Sequence, residues 1–311
     1  MKENINISNS PHIKDGNTTN SIMLSVIISL IPATIYGVYH FGIYSLIIII
    51  TSIVACILSE YFFNIITKRE NSIKDYSAIL TGLLLGLNMP PRIPLYIPIL
   101  GSIFAIVIAK MIFGGLGQNV VNPAIAGRIF LTISFANLMN SFSYDAISGP
   151  TPLYIVKQGM DTNIPNLFVG NISGTIGEVS SLALLIGAIY LLINKIIDYR
   201  IPLSYFLSFL LFILIFSGKG SNINYILAQI FGGGLILGMF FMATDYVTSP
   251  VTKFGKVLYG IFLGIMTGIF RVYGKSTEGV SYSILLANLL VPSIEQITIP
   301  KAFGVENINE K

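Results

Sequence analysis

The sequence predicts an all-α, polytopic integral membrane protein of about ten transmembrane helices, arranged as two inverted five-helix repeats. Hydrophobic residues make up 53% of the chain and charged residues only 10%, whereas a soluble domain carries about 25% charged residues. The mean hydropathy is +0.78. No Lys, Arg, Asp or Glu occurs in the 44 residues from 16 to 59, which is enough for two bilayer-spanning helices. No soluble-domain interpretation fits this composition.

The remaining spans follow in order along the chain. Residues 1–21 are polar and form a predicted cytoplasmic tail. The charge-free stretch then supplies two helices with a tight turn near residues 40–42, and no A-x-A-like cleavage site suggests a removed signal peptide. The other apolar runs cover residues 76–88, 95–113, 123–138, 179–194, 202–217, 224–243, 257–270 and 279–296. Several are shorter than about 20 residues, so we expect half-helices or polar extensions.

The distribution of basic residues predicts that both termini are cytoplasmic. If the N-terminus lies inside and the spans alternate, 13 of the 18 Lys and Arg residues fall inside and five outside, as the positive-inside rule requires. The inner set includes Lys110 and Arg128, and the outer set includes Arg271. The net charge of +4 is therefore interpreted as a signal of topology, and no nucleic-acid partner is expected.

A long polar segment divides the predicted spans into two halves. Residues 139–178 form an extracytoplasmic loop between a first repeat (22–138) and a second repeat (179–297), and residues 298–311 form a cytoplasmic tail. Five helices per half give the halves opposite orientations. The third helix of each half ends in a break, at NMPP (88–91) and TDYVTSP (244–250), and the fifth helix follows GGLGQNVVNPA (114–124) or YGKSTEGVS (273–281).

These breaks leave backbone groups without helical partners, so they must face protein, a ligand or a water-filled cavity. Asn122-Pro123 and Ser249-Pro250 are typical of helix caps, and capping alone is one interpretation. A central ligand or ion site is the other. Asp245 favours the second, because a carboxylate at a membrane helix break is costly unless it is used, although an interfacial carboxylate in water is the alternative. Glu60 and Glu178 lie near helix ends and are interpreted as solvated flanks.

The chain has few residues that could bind a redox metal. It contains one cysteine, Cys56, and two histidines, His12 and His40. One cysteine cannot hold an iron–sulfur cluster or a structural zinc alone. We therefore predict no metal site and no catalytic residue in this chain.

The central loop contains a motif that presents a hydroxyl group. In Asp145-Ala-Ile-Ser148-Gly149-Pro150-Thr151-Pro152, the glycine and the two prolines predict a turn. Thr151 stands between two prolines, so it cannot lie inside a regular helix, and its hydroxyl is expected on an exposed loop. A hydroxyl with a carboxylate six residues upstream suits covalent modification; an ordinary turn is the alternative.

This segment resembles the flavinylation motif D-x-x-[ST]-G-A-[TS] of the Rnf and Na⁺-pumping NADH:quinone oxidoreductase families. Asp145, Ser148, Gly149 and Thr151 match, and Pro150 replaces the usual Ala. In those families the last Thr carries FMN through a phosphoester bond, installed by a flavin transferase that uses FAD. The segments SPH (10–12), GGLGQNVVNPAIAGRIFL (114–131) and FFMATDYVTSPVT (240–252) also resemble this NqrB/RnfD family, and the likeness covers essentially the whole chain.

The resemblance implies a membrane subunit of an ion-translocating complex of the ferredoxin:NAD⁺ oxidoreductase type, located in the inner cell membrane. It implies an electron relay through covalent FMN on Thr151, with the other Rnf subunits and the flavin transferase as partners. It also implies that the subunit binds a second flavin, a non-covalent riboflavin. We expect Asn119, Asn122, Asp245 and Thr248 to form this second flavin site or an ion site.

Two other functions remain open at the level of the sequence. Inverted halves with broken helices are also typical of a stand-alone channel or secondary transporter without flavin. A passive scaffold that holds other redox subunits, with its loop unmodified, is the third hypothesis.

Overall fold

The computed structural model describes residues 18–69, 73–144, 147–148, 152–220, 222–274 and 279–300. The regular elements in this part of the chain are helices and one hairpin of two-residue strands, in which Ser143–Tyr144 pairs antiparallel with Ile147–Ser148. Within it, four single helices are long and apolar enough to cross a membrane, and a bent helix pair gives a fifth. The all-α polytopic membrane fold is confirmed, while the count of ten spans and the inverted repeat remain predictions.

The helices of the first half follow the predicted apolar runs. They are α1 (Thr19–Phe41), α2 (Ile43–Thr67), α3 (Ser77–Leu87), α4 (Tyr96–Ile103, continued by a π-helix Phe104–Met111), α5 (Pro123–Ser134) and α6 (Ala136–Met139), with a 3₁₀ turn at Ile73–Asp75. The central connection, residues 139–178, holds the hairpin, α7 (Pro152–Lys157) and α8 (Ile164–Val169).

In the second half, the third helical element is broken. The helices of this half are α9 (Ser181–Ile193), α10 (Arg200–Phe216), α11 (Ile223–Phe231), α12 (Leu235–Leu237, continued by a π-helix Gly238–Met242), α13 (Lys253–Tyr273) and α14 (Val280–Thr298). The chain bends by 52° between α11 and α12. Gly233 and Gly234 form this bend with φ values of 62° and 66°, a region that glycine enters without steric cost.

A single residue joins α1 to α2. Gly42 has a φ of 87°, and its N–H donates to the carbonyl of Val38 at 2.9 Å. This position confirms the turn predicted near residues 40–42. The left-handed φ requires glycine here, since a Cβ would strain the backbone.

Small residues bring α10 and α13 into close contact. A Cβ on Gly260 would overlap the hydroxyl of Ser204, and one on Gly264 would overlap that of Ser208. The Ser208 hydroxyl donates to the Gly260 carbonyl at 3.3 Å. Membrane helices use small residues in this way, because lipid gives no hydrophobic drive for helix association.

Candidate functional site

Asn122 connects the breaks of the two halves. Its side-chain oxygen accepts from the backbone N–H of Ala124 at 3.0 Å and caps α5, as the sequence predicts. Its amide nitrogen donates to the carbonyl of Met242, the last residue of the second π-helix, at 3.3 Å. One side chain therefore caps a helix of the first half and also binds the broken element of the second half.

Asp245 lies three residues after the end of this broken element and is half-buried. The hydroxyl of buried Thr248 donates to its carboxylate at 3.1 Å. This hydrogen bond orients the carboxylate, as expected when a charged group near the membrane interior is retained.

A small cavity joins most of the predicted site residues. Asn119, Asn122 and Asp245 line it, and Thr248 is linked to it through its bond to Asp245. We call these four residues the polar centre. The cavity has a volume of about 60 Å³ and is bounded by α1, α3, the start of α5 and residues 240–247. This volume accommodates a few water molecules or one cation, and it is too small for the three fused rings of a flavin.

Asn288 and Tyr259 extend the polar centre and were not predicted from the sequence. Both are buried. In the amide orientation that satisfies its neighbours, Asn288 donates to the Thr248 carbonyl at 3.1 Å and to the Tyr259 hydroxyl at 2.7 Å, and accepts from the Asn122 N–H at 3.0 Å. The sequence did contain a signal for them: Tyr259 and Asn288 are polar residues inside the apolar helices α13 and α14. A polar side chain inside a membrane helix usually has a hydrogen-bond partner on another helix.

A buried ion pair borders the cavity from the first half. The Lys110 ammonium lies 2.7 Å from the Glu60 carboxylate and donates to the Ser77 hydroxyl at 2.6 Å. Glu60 is 0% exposed and Lys110 is 1% exposed. The interpretation of Glu60 as a solvated flank is therefore wrong. The reason is that α2 continues to Thr67, which places Glu60 two turns inside the helix rather than at its end.

A second buried ion pair attaches the central connection to α5. Arg128 lies 2.7 Å from the Glu178 carboxylate and also donates to the Asn88 side chain. The interpretation of Glu178 as a solvated flank is wrong as well, because Arg128 extends from the middle of α5 to neutralise it. Lys110 and Arg128, counted among the loop charges, are instead buried partners of carboxylates.

Arg271, counted among the outer charges, is also buried. Its guanidinium donates to the carbonyls of Gln229, Gly232 and Gly233, the last two at 3.1 and 2.9 Å. These carbonyls lose their helical partners where α11 ends. Arg271 thus provides the hydrogen bonds that these carbonyls need, which the hydrocarbon of a lipid bilayer cannot supply.

The flavinylation motif lies mostly outside the described residues. Asp145, Gly149 and Thr151 are not described, and Ser148 is described only as the end of the hairpin. The chain is described again from Pro152, where α7 begins. The motif therefore includes the second strand of the hairpin, Ile147–Ser148, and is followed by the short helix α7.

The segment after the motif is anchored in the glycine break. Leu153, two residues after Thr151, is buried and packs against Gly232 and Gly233; a Cβ on Gly233 would overlap it. The Lys157 ammonium donates to the Gly274 carbonyl, and the Lys219 ammonium donates to the Val156 carbonyl at 3.4 Å. These contacts hold α7 against α11 and the end of α13.

Together, these features define a polytopic membrane protein with polar groups concentrated at helix breaks and a central connection fixed to one break. A comparison with protein families matches residues 6–304 to the NQR2, RnfD, RnfE family. The chain belongs to this family, so the resemblance inferred from the motifs is confirmed.

Individual relatives match over nearly their full length. The chain is 41% identical to the D subunit of the Na(+)-translocating ferredoxin:NAD(+) oxidoreductase complex of Acetobacterium woodii, over 99% of this chain and 98% of the relative. It is 39% identical to the D subunit of the proton-translocating ferredoxin:NAD(+) oxidoreductase complex of Clostridium ljungdahlii, over 98% of each chain. It is 32% identical to the D subunit of the ion-translocating oxidoreductase complex of Actinobacillus succinogenes, over 96% of this chain and 97% of the relative.

Proposed function

We propose that this chain is a membrane subunit of an ion-translocating oxidoreductase that transfers electrons between ferredoxin and NAD⁺. The observation that carries the proposal is the near full-length similarity to two proteins named for that reaction, at 41% and 39% identity. The chain acts with the other components of the complex and is not active alone. One relative is named for Na⁺ and the other for protons, so either ion is compatible with the proposal.

The redox group of this protein is, in our proposal, FMN esterified to the hydroxyl of Thr151 by a flavin transferase. The matching motif residues Asp145, Ser148, Gly149 and Thr151 support it. Flavin supplies the one- and two-electron chemistry, and the protein supplies position and electrostatics. Leu153 in the glycine break and the Lys157 hydrogen bond to Gly274 hold α7, which follows Thr151 in the sequence, against the helical body.

Mass spectrometry of the peptide that contains Thr151 tests this assignment. With the transferase co-expressed, we expect an FMN adduct and a flavin-fluorescent band on a denaturing gel. Thr151→Ala should lose both, whereas Thr162→Ala, in the same connection, should keep both. Wild-type peptide without the adduct would overturn the flavin relay and favour a passive scaffold. Pro150→Ala, which restores the usual motif, should label at least as fast as wild type.

For the polar centre we propose a small-cation site. Its cavity of about 60 Å³ contains the Asp245 carboxylate and amide groups that can supply oxygen ligands, which suit hard cations. A riboflavin would need the surrounding side chains to move apart. Release of non-covalent flavin from the denatured wild-type protein, and its loss in Asn122→Ala, would favour riboflavin instead.

A stand-alone transporter is the competing function. It predicts solute uptake by the purified chain in liposomes, without partner subunits. Uptake of that kind, with no flavin on Thr151, would replace the proposal.

A further inference from the structure

A basic cleft lies between the α9–α10 connection and the start of α13. Its volume is about 660 Å³. Lys195, Arg200 and Lys256 line it, and Asp198 is its one lining carboxylate among the residues that the structure describes. Three cations and one anion leave the lining with an excess of two positive charges.

The carboxylate in the cleft is already engaged. Asp198 lies 2.8 Å from the Arg200 guanidinium and 3.0 Å from the Lys256 ammonium. Burial alone would raise the pKa of Asp198, but hydrogen bonds from the Arg200 backbone N–H and from Lys256 outweigh it and lower the pKa below 3.8. Asp198 is therefore charged at neutral pH and positions two of the cations.

Lys195 supplies one of the two excess charges, and the group of Arg200, Lys256 and Asp198 supplies the other. Lys195 is exposed and has no ion-pair partner among the described residues. Its backbone is fixed in a left-handed conformation, with φ at 54°, directly after α9 ends. The cleft thus contains Lys195, whose backbone conformation is fixed, and two further cations, Arg200 and Lys256, which are paired with Asp198.

An apolar stripe begins at the same place. Leu203, Leu207 and Leu211 on α10 are 51%, 48% and 57% exposed, and their four-residue spacing puts them on one face of the helix. Exposed Tyr199 stands where the stripe meets the cleft, the position that tyrosine favours at a membrane–water interface. A free anion would use only the cleft, whereas a lipid would use both the cleft and the stripe.

We infer that the cleft binds the headgroup of an anionic phospholipid, whose acyl chain lies along the leucine stripe of α10. Basic pockets between membrane helices recognise headgroups in this way. The inference is independent of the flavin and of the reaction, because it depends only on this cleft and the adjacent helix face.

Binding to the purified full chain in detergent tests the inference. The probes are phosphatidylglycerol, phosphatidylcholine and inorganic phosphate, and the readouts are the thermal unfolding temperature and the lipid retained in native mass spectrometry. We expect phosphatidylglycerol alone to stabilise the protein and to be retained. Lys195→Gln, at an exposed position, should weaken its affinity about five-fold, and Lys195→Gln with Lys256→Gln about 25-fold.

The matched control is Lys253→Gln. Lys253 is exposed on the first turn of α13 but does not line the cleft, so phosphatidylglycerol affinity should stay at the wild-type level. Equal stabilisation by phosphatidylcholine, an equal loss in Lys253→Gln, or full stabilisation by inorganic phosphate would each overturn the inference. Displacement of the retained lipid when the complex assembles would identify the cleft as a protein interface instead.

Discussion

The two buried ion pairs use the same chemistry in different settings. Each joins residues fifty positions apart in the sequence, with a nitrogen–oxygen distance of 2.7 Å. The Glu60–Lys110 pair lies inside the first half and borders the cavity of the polar centre. The Arg128–Glu178 pair links α5 to the central connection, where a Cβ on Gly234 would overlap Glu178. The first pair therefore stabilises one half, and the second fixes the connection that carries the flavin motif.

Breaking the first pair should have the largest effect. Lys110→Met removes the ammonium 2.7 Å from the fully buried Glu60 carboxylate, which should lower the free energy of unfolding by about 3–5 kcal/mol. Denaturant unfolding in micelles measures it. Lys110→Met combined with Glu60→Gln should recover part of the loss; a double variant no better than the single one would contradict this account.

Neutralising the second pair should cost less. Glu178→Gln keeps an acceptor for Arg128 but removes the charge, so we expect a loss of about 1.5–3 kcal/mol. The same measurement on Glu60→Gln gives the matched comparison. A larger loss at Glu178 than at Glu60 would reverse the order that the burial predicts, since Glu178 is 7% exposed and Glu60 is fully buried.

The attachment of the central connection can be tested at the glycine break. Gly233→Ala introduces a Cβ that overlaps Leu153 at a φ of 62°. Gly218→Ala is the control, because Gly218 has a φ of 65° but nothing within 4 Å of the added Cβ. Gly233→Ala should destabilise by about 1–3 kcal/mol more than the control, as overpacking does. Leu153→Ala should remove this excess.

The polar centre beside the first pair can be tested at its cap. Asn122→Ala removes the α5 cap and should cost about 0.5–2 kcal/mol, plus the bond to the Met242 carbonyl. Asn222→Ala removes a cap of α11 that accepts from the Tyr225 N–H at 3.2 Å and serves as the comparison. Equal losses in unfolding experiments would show that the link between the halves contributes nothing.

The partly exposed ion pairs of Asp198 should make the smallest contribution to stability. Because the folded pKa of Asp198 is lowered, its stabilisation is present above the unfolded pKa near 3.8 and is lost as pH falls through the folded value. Asp198→Asn should cost less than about 1 kcal/mol at pH 7. The difference in unfolding temperature from wild type should shrink as the pH falls below 3.8 and through the folded pKa of Asp198. A difference that does not shrink would not come from the charge.

Much of the helical body could be predicted from the sequence. Every predicted apolar run overlaps a helix, because long hydrophobic runs in a membrane have few alternatives to helix. The glycine and proline breaks also marked Asn119, Asn122 and Asp245, which the structure places around one cavity. Their roles as ligands remain predictions.

The ion pairs and the Asn288 link could not be predicted in the same way. Each depends on a partner that is close only after folding, as Glu60 shows with Lys110 fifty residues away. Position near the end of an apolar run suggested solvation, and the local pattern contained no information about the neighbouring helix. Similarly, the π-helices that continue α4 and α12 could not be predicted, because the hydrophobic pattern of these segments does not distinguish a π-helix from an α-helix.

The one-residue link at Gly42 has a consequence for biogenesis. It joins helices of 23 and 25 residues, so no hydrophilic segment separates them that could wait on one side while the second helix is synthesised. The two helices should therefore leave the translocation machinery as a single hairpin, and a polar insertion at Gly42 would turn one insertion event into two.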